Sequence, residues 1–274
     1  MARMRPQVLA HRGASHDHAE HTLGAYLVAL EEGADGLECD VRLTADGHLV
    51  CVHDRNTKRT TGYGGVVSTM DLAKLSELDF ASWKHPWAEL DDERPDLDPE
   101  RDRVLTLRRL LEVVAAQDRR VEIAIETKHP TRYGGLVERK VVELLGEFGW
   151  TGADSPARVM SFSYTAIQRI ERLAPELPVV QLIERSAMWP MLRRVVRGRW
   201  ILGPGVELLR EHPRLARRLA EGRHDLHVWT VNTAEDLQLC LDLGVKAVIS
   251  DRPAYLRGLV DALPDDGIDR PEAG

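Results

Sequence analysis

Short apolar runs recur along the chain, and most are followed by a stretch in which apolar residues return every three or four positions. Eight runs read as strands, at 7–11, 36–42, 121–126, 158–161, 179–183, 200–203, 226–231 and 247–250. The helical period fits 23–32, 106–117, 134–146, 164–173, 213–221 and 233–244. In the first helix Leu23, Tyr26, Leu27 and Leu30 form one stripe, with Thr22 in the N-cap position and Gly33 as the stop. Alternating strand and helix builds a mostly parallel sheet, so the expected fold is α/β, a (β/α)8 TIM-like barrel.

One connection breaks the rule. Leu43-Thr44-Ala45-Asp46-Gly47-His48 is too short for a parallel crossover, and Asp-Gly signals a hairpin turn, so 49–53 is expected to return antiparallel to 36–42. A turn centred on Ala45 and Asp46 sets His53 opposite Glu38. After His53 the alternation fails. Residues 55–104 hold Gly62, Gly64, Gly65, a helix-like 71–78, and then Pro86, Pro95 and Pro99 among many acids. This reads as a small insertion capping one end of the barrel, with Phe80, Trp83 and Trp87 as an apolar wall or, the favoured reading, as its own small core. The expected organisation is one domain over 6–260 that contains this insertion, followed by a mobile tail over 261–274.

Composition narrows the class. With 274 residues and 43% hydrophobic content the chain fills a sizeable core, and its formal charge of −7 argues against a nucleic-acid or anionic-membrane binder. An anionic substrate therefore needs local help from Arg, Lys or a metal. Cys39, Cys51 and Cys240 are scattered, which indicates neither a disulfide framework nor a zinc knuckle. No run approaches the ~20 apolar residues of a membrane span, and the chemistry begins by His11, so no stable membrane insertion and a cytoplasmic location are expected.

The candidate chemistry gathers where strands end, at His11-Arg12-Gly13, Glu38-Cys39-Asp40, His53-Asp54, Glu126-Thr127-Lys128, Trp229-Thr230-Val231-Asn232 and Ser250-Asp251. The C-terminal ends of barrel strands are where such folds build active sites. Strand alternation points Glu38 and Asp40 to one face and Cys39 to the other, and Glu126 adds a third hard oxygen donor. Three carboxylates without a thiolate suit Mg2+ or Ca2+ better than zinc. His11 and His53 each close a strand beside a polar residue and are the candidate acid–base pair. Arg12 and Lys128 supply positive charge for a phosphate, Arg12 also being placed to pair with Glu20 or Glu38. Trp229 offers a ring to the non-phosphate part of a ligand or packs in the core, and Asn232 is read as a helix cap. His16, His18 and His21 lie in a loop without metal-ligand spacing, while Glu20 is placed near Arg12 at the mouth of the site.

These motifs, extended by Glu20-His21-Thr22, Thr44-Ala45-Asp46-Gly47 and Ser250-Asp251-Arg252-Pro253, resemble the glycerophosphodiester phosphodiesterases over residues 7–255. The resemblance implies one divalent metal on Glu38, Asp40 and Glu126, His11 and His53 as general base and acid, phosphate held by Arg12 and Lys128, and Trp229 lining the glycerol side. The implied reaction is cleavage of a small-molecule glycerophosphodiester to glycerol 3-phosphate and an alcohol. Two departures stand out: His21 replaces the family's Asn, and Thr127 replaces an aliphatic residue. Rival readings are a phospholipase-D-like or cyclising lyase acting on lysophospholipids, and a non-catalytic glycerophosphate-binding protein. The histidine pair argues against the second, because binding alone needs no proton shuttles.

Overall fold

The computed structural model describes residues 5–85, 98, 100–196 and 198–264. The strands in chain order are β1 (Gln7–His11), β2 (Gly36–Leu43), β3 (Leu49–Cys51), β4 (Glu122–Thr127), β5 (Ala157–Ser161), β6 (Val179–Ile183), β7 (Ile201–Pro204), β8 (His227–Val228) and β9 (Ala247–Ser250). All but β3 run parallel, in the order β7-β6-β5-β4-β2-β1-β9-β8. Parallel bridges Leu202–Leu226 and Gly205–Trp229 bring β8 against β7 and close the ring. This is the expected (β/α)8 barrel. β8 is shorter than the expected 226–231, with regular pairing only at His227 and Val228, while Trp229 contributes an isolated bridge.

The helices are α1 (Leu23–Glu31), α2 (Lys58–Thr61), α3 (Leu72–Ser76), α4 (Leu107–Ala115), α5 (Leu136–Glu147), α6 (Tyr164–Leu173), α7 (Trp189–Val195), α8 (Val206–Glu211), α9 (Pro213–Ala220), α10 (Ala234–Asp242) and α11 (Pro253–Asp261). Thr22, Thr106, Ser163 and Thr233 cap α1, α4, α6 and α10 through their hydroxyl oxygens. The periodicity reading missed α2, α7, α8 and α11. The first three are under eight residues, and α7 and α11 carry proline in their first turn, where its missing N–H costs nothing.

Alternation along the strands sorts the barrel interior into layers. Gln7, Glu122, Arg158 and His227 share the end where strands begin. Above them lies a dry plug of Leu9, Ala124, Met160, Val180, Leu182, Ala247 and Ile249. The plug is tight at Gly203, where an added Cβ would stand 2.7 Å from Leu182 Cδ2 and 2.9 Å from Val180 Cγ1. Outward-facing Leu37, Cys39, Val41, Ile123 and Ile125 join Tyr26, Leu110, Leu111 and Ile167 in the main core under the helices.

The hairpin forms, but its register is one position out from the expected one. Val41 faces Cys51, Arg42 faces Val50 and Leu43 faces Leu49. The turn reaches to Gly47, which sits at φ 86 and donates to the Thr44 carbonyl at 3.2 Å, and the Thr44 N–H donates to the His48 carbonyl at 2.9 Å. His53 is therefore not opposite Glu38. It lies past the ladder, whose last contact is the Val52 N–H to the Asp40 carbonyl at 3.0 Å. The segment that follows folds α2, a 3-10 turn at Val67–Thr69 and α3 around Val50, Val52, Val67, Met70, Leu75 and Phe80. Phe80 joins this small core as expected but Trp83 does not; its ring lies under Arg59, 5.3 Å from the centroid, and its indole N–H donates to the Phe80 carbonyl. Trp87, Pro86, Pro95 and Pro99 lie outside the described residues, as does the expected mobile tail from 265 onward.

The polar layer at the strand beginnings is a buried cation held inside a barrel. One Arg158 amino group reaches Gln7 Oε1 and Glu122 Oε2, both at 3.1 Å, and the other lies against the His227 ring at 3.2 and 3.3 Å. Burial, aided by the Arg158 charge, pushes His227 well below its usual value of 6.5. The folded chain thus refuses a proton that the unfolded chain accepts near pH 6.5, so stability falls as pH drops below that value. His227→Gln is expected to flatten this acid-side slope by up to about 1.4 kcal/mol per pH unit. Urea denaturation between pH 7.5 and 5 checks it, and an unchanged slope would place the cause elsewhere.

Candidate active site

β1 delivers His11 to the end of the barrel, where Arg12 at φ 59 and Gly13 at φ 87 turn the chain sharply. Gly13 is required twice over: its φ is left-handed, and a Cβ there would lie 2.7 Å from the Ala25 backbone at the start of α1. His11 Nδ1 is 2.6 Å from Asp251 Oδ1, which also accepts from the Ser15 hydroxyl at 3.0 Å. The other Asp251 oxygen accepts from Asn232 Nδ2 at 2.7 Å, and Asn232 Oδ1 accepts from the Asp251 N–H and the Ser250 hydroxyl. Asn232 is therefore not the helix cap expected; Thr233 takes that role, and Asn232 holds Asp251 against His11. Partial burial would raise the Asp251 carboxyl, but the bonds from His11, Asn232 and Ser15 hold it far below its ordinary range.

With Nδ1 committed to Asp251, His11 turns Nε2 toward Glu38, 3.9 Å from Oε2. His53 is braced in the same manner, its Nδ1 lying 2.8 Å from Asp54 Oδ1. From Asp54 a chain of alternating charges crosses the rim. Arg59 bonds Asp54 Oδ2 at 2.6 Å and both oxygens of Glu20 at 2.7 and 2.9 Å. Glu20 in turn meets Arg12 at 3.2 Å, and Arg12 Nε lies 2.9 Å from Asp40. Burial opposes ionisation of Glu20, but Arg59 and Arg12 pull it down to about 2. Arg42 clamps the His53 carbonyl from Nε and an amino group at 2.9 and 2.7 Å. Burial, with repulsion from Arg12 and Lys128, lowers the His53 imidazole.

Beneath the histidines, Glu38, Asp40 and Glu126 are 2%, 0% and 7% exposed. One oxygen from each lies within 4.8 Å of the other two. Burial and then the neighbouring Asp40 charge raise Glu38 well above its usual range and Glu126 to about 8. Asp40 goes the other way despite burial, because it accepts from His21 and faces Arg12 and Lys128. Lys128 bridges Glu126 at 2.8 Å and Asp40 at 3.1 Å. The second contact is an ion pair without hydrogen-bond geometry, so Asp40 Oδ1 is a buried oxygen with no hydrogen-bond donor. Clustered hard donors, mutual repulsion and that unused lone pair fit a divalent cation.

His21 is a residue the sequence reading left without a role. At φ 62 its buried ring reaches inward, with Nε2 2.9 Å from Asp40 Oδ2 and Nδ1 2.9 Å from the Tyr26 hydroxyl, which donates to the Glu38 carbonyl. The imidazole thus links α1 to both acids of β2. His18 is exposed and His16 is 53% exposed, and among the described residues the carboxylate trio is the sole metal-like cluster.

Above the acids opens a cavity of about 530 Å³. His11, Arg12, Glu38, His53, Glu126 and Lys128 form its polar side; Met160, Phe162, Leu182, Met188, Trp229 and Ile249 form the apolar side. Trp229 packs edge-on against Phe162, with centroids 5.4 Å apart, and also lines the cavity. Asp40 and Glu20 stand behind this surface. His129, unmarked in the sequence reading, also lines it, with Nε2 2.9 Å from the buried Glu138.

A family model described as the glycerophosphoryl diester phosphodiesterase family matches residues 11–255. The chain belongs to this family. A Mycobacterium tuberculosis protein named "Probable glycerophosphodiester phosphodiesterase 1" is 44% identical over 93% of each chain. A Bacillus subtilis glycerophosphodiester phosphodiesterase is 32% identical, covering 89% of this chain and 83% of its own length. Among solved structures, an Oleispira antarctica phosphodiesterase in complex with the product sn-glycerol-3-phosphate superposes with a TM-score of 0.76 at 25% identity, covering 94% of this chain and 97% of its own. In this glycerophosphodiester phosphodiesterase-family chain, His21→Ala is expected to leave Asp40 and the Tyr26 hydroxyl short of a partner and to cost ~1–3 kcal/mol. The urea midpoint reports it; a midpoint equal to wild type would deny His21 a bracing role.

Proposed function

We propose that the chain hydrolyses glycerophosphodiesters to glycerol 3-phosphate and an alcohol, with His11 as general base, His53 as general acid and one divalent cation, Ca2+ or Mg2+, on Glu38, Asp40 and Glu126. The observation that carries this reading is the meeting of two carboxylate-braced imidazoles with three clustered acids at one cavity. The names of the relatives and the product bound to the Oleispira enzyme support the substrate class. We further propose that residues 6–260 act as one catalytic unit capped by 55–104, and that the protein works in the cytoplasm, consistent with three free, buried cysteines.

The bracing suggests the division of labour. An Nδ1–H donated to Asp251 leaves His11 Nε2 as an acceptor, and the carboxylate stabilises the imidazolium that forms when Nε2 takes the proton of a glycerol hydroxyl. That hydroxyl oxygen attacks phosphorus. His53, whose protonated form is a stronger acid because burial disfavours its charge, gives its Nε2 proton to the departing alcohol. Arg12 and Lys128 bind the phosphoryl oxygens, and Trp229 packs against the glycerol. Water then opens the cyclic phosphate, with the histidines exchanging roles. A bound cation supplies further stabilisation of charge on the phosphoryl oxygens.

Phosphorus NMR of glycerophosphocholine turnover, with Ca2+, Mg2+ or chelator, is the test. Glycerol 3-phosphate should accumulate, chelator should stop it, and Glu38→Ala or His53→Ala should abolish most turnover. Asp251→Asn should lower kcat by roughly 10²–10⁴ with KM little changed. Release of cyclic phosphate as the end product would indicate a lyase, and metal-dependent binding without turnover would indicate a binding protein; either overturns the proposal.

A further inference from the structure

A second pocket, of about 400 Å³, shares Lys128 with the catalytic cavity. Among the described residues, Arg42, Arg55, Arg132 and Lys128 line it together with Ser68, Thr69 and Thr131, and no carboxylate does. In a chain of formal charge −7 this is a local reversal of sign. Elsewhere arginines meet acids, as Arg12, Arg59, Arg158 and Arg257 do. Arg55 and Arg132 are exposed, and their side chains make no ion pair or hydrogen bond with the described residues. Arg42 is half-buried and fixed by the His53 carbonyl, and burial lowers its guanidinium although Asp40, Asp54 and Glu126 favour the charge. Lys128 is already bridged to Glu126 and Asp40, but Arg55 and Arg132 meet no acid among the described residues, and two unpaired guanidinium groups beside three hydroxyls describe a site shaped for an anion.

We propose that this pocket is a second phosphoryl-binding subsite, in which Arg55 and Arg132 grip a dianionic phosphate group beside the catalytic cavity. The proposal rests on the phosphodiesterase reading for its substrate-borne form. Trp229, at the end of β8, stands four places around the ring from β4, the strand that carries Lys128. If Trp229 packs against the glycerol half, the alcohol half points across the barrel toward Lys128 and the pocket beyond it. A glycerophosphodiester whose alcohol bears its own terminal phosphate would then fill both.

The test compares wild type with the R55A/R132A double variant on glycerophosphoglycerol and on its terminal phosphate monoester, alongside calorimetric titration with inorganic phosphate. Both side chains are exposed and unpaired, so the fold should survive, which thermal unfolding checks. The double variant should raise KM for the phosphate-bearing substrate by roughly ten-fold or more, with kcat and all constants for glycerophosphoglycerol unchanged. R55K/R132K should restore part of the loss. If instead both proteins treat the two substrates alike, but inorganic phosphate binds wild type and not the variant, the subsite stands and its ligand is free phosphate. Equal phosphate binding and equal KM values in wild type and variant would overturn the proposal. Wild type that turns over neither substrate would fault the phosphodiesterase reading alone, because the phosphate titration still decides the subsite.

Discussion

Three carboxylates withdrawn from water within 4.8 Å of one another are electrostatically untenable unless the surrounding chain compensates them. Much of the local structure at this end of the barrel is that compensation. Arg12 takes a left-handed backbone conformation whose turn Gly13 continues, and its guanidinium reaches Asp40. Lys128 spans Asp40 and Glu126, and His21 turns inward from the loop before α1 to share the Asp40 load. What remains is an excess of repulsion of the kind that a small hard cation would relieve.

The histidines depend on the same economy of charge. Each uses Nδ1 to hold a carboxylate, leaving Nε2 for the cavity, yet the two carboxylates have different sources. Asp251 lies at the end of the last strand, locked by Asn232, Ser15 and its own backbone N–H, and belongs to the barrel itself. Asp54 is adjacent in sequence to its histidine and is steadied by Arg59 from the first helix of the insertion. One imidazole is thus mounted on the rigid frame and the other on the boundary between frame and cap.

Much of this was readable because it follows from period two. Glu38 and Asp40 share a face with Arg42 because they alternate, Cys39 and Val41 fall into the outer core for the same reason, and the strand ends collect the polar motifs. The failures have physical causes. The hairpin register slipped by one because Gly47 extends the turn, a backbone choice that Asp46-Gly47 permits without dictating. Asn232 and Thr233 are neighbouring capping residues, Asn the stronger by habit, and the position of Asp251 decides between them. Asp251 meets His11 across 240 residues, and His21 acts through a positive φ, so no local pattern announces either. The cationic pocket draws on the hairpin, the insertion and the loop after β4, three segments with no common sequence signal.

Arg59 gives the insertion a meaning beyond shape. One guanidinium from α2 joins Glu20, on the loop that follows β1, to Asp54, which steadies a catalytic candidate. A relative could lengthen, shorten or exchange this segment to suit another substrate only if the new piece returned a cation to the same spot. The described part of the insertion is therefore tied at one point to the histidine at the rim, a pin that any change in its outline would have to keep.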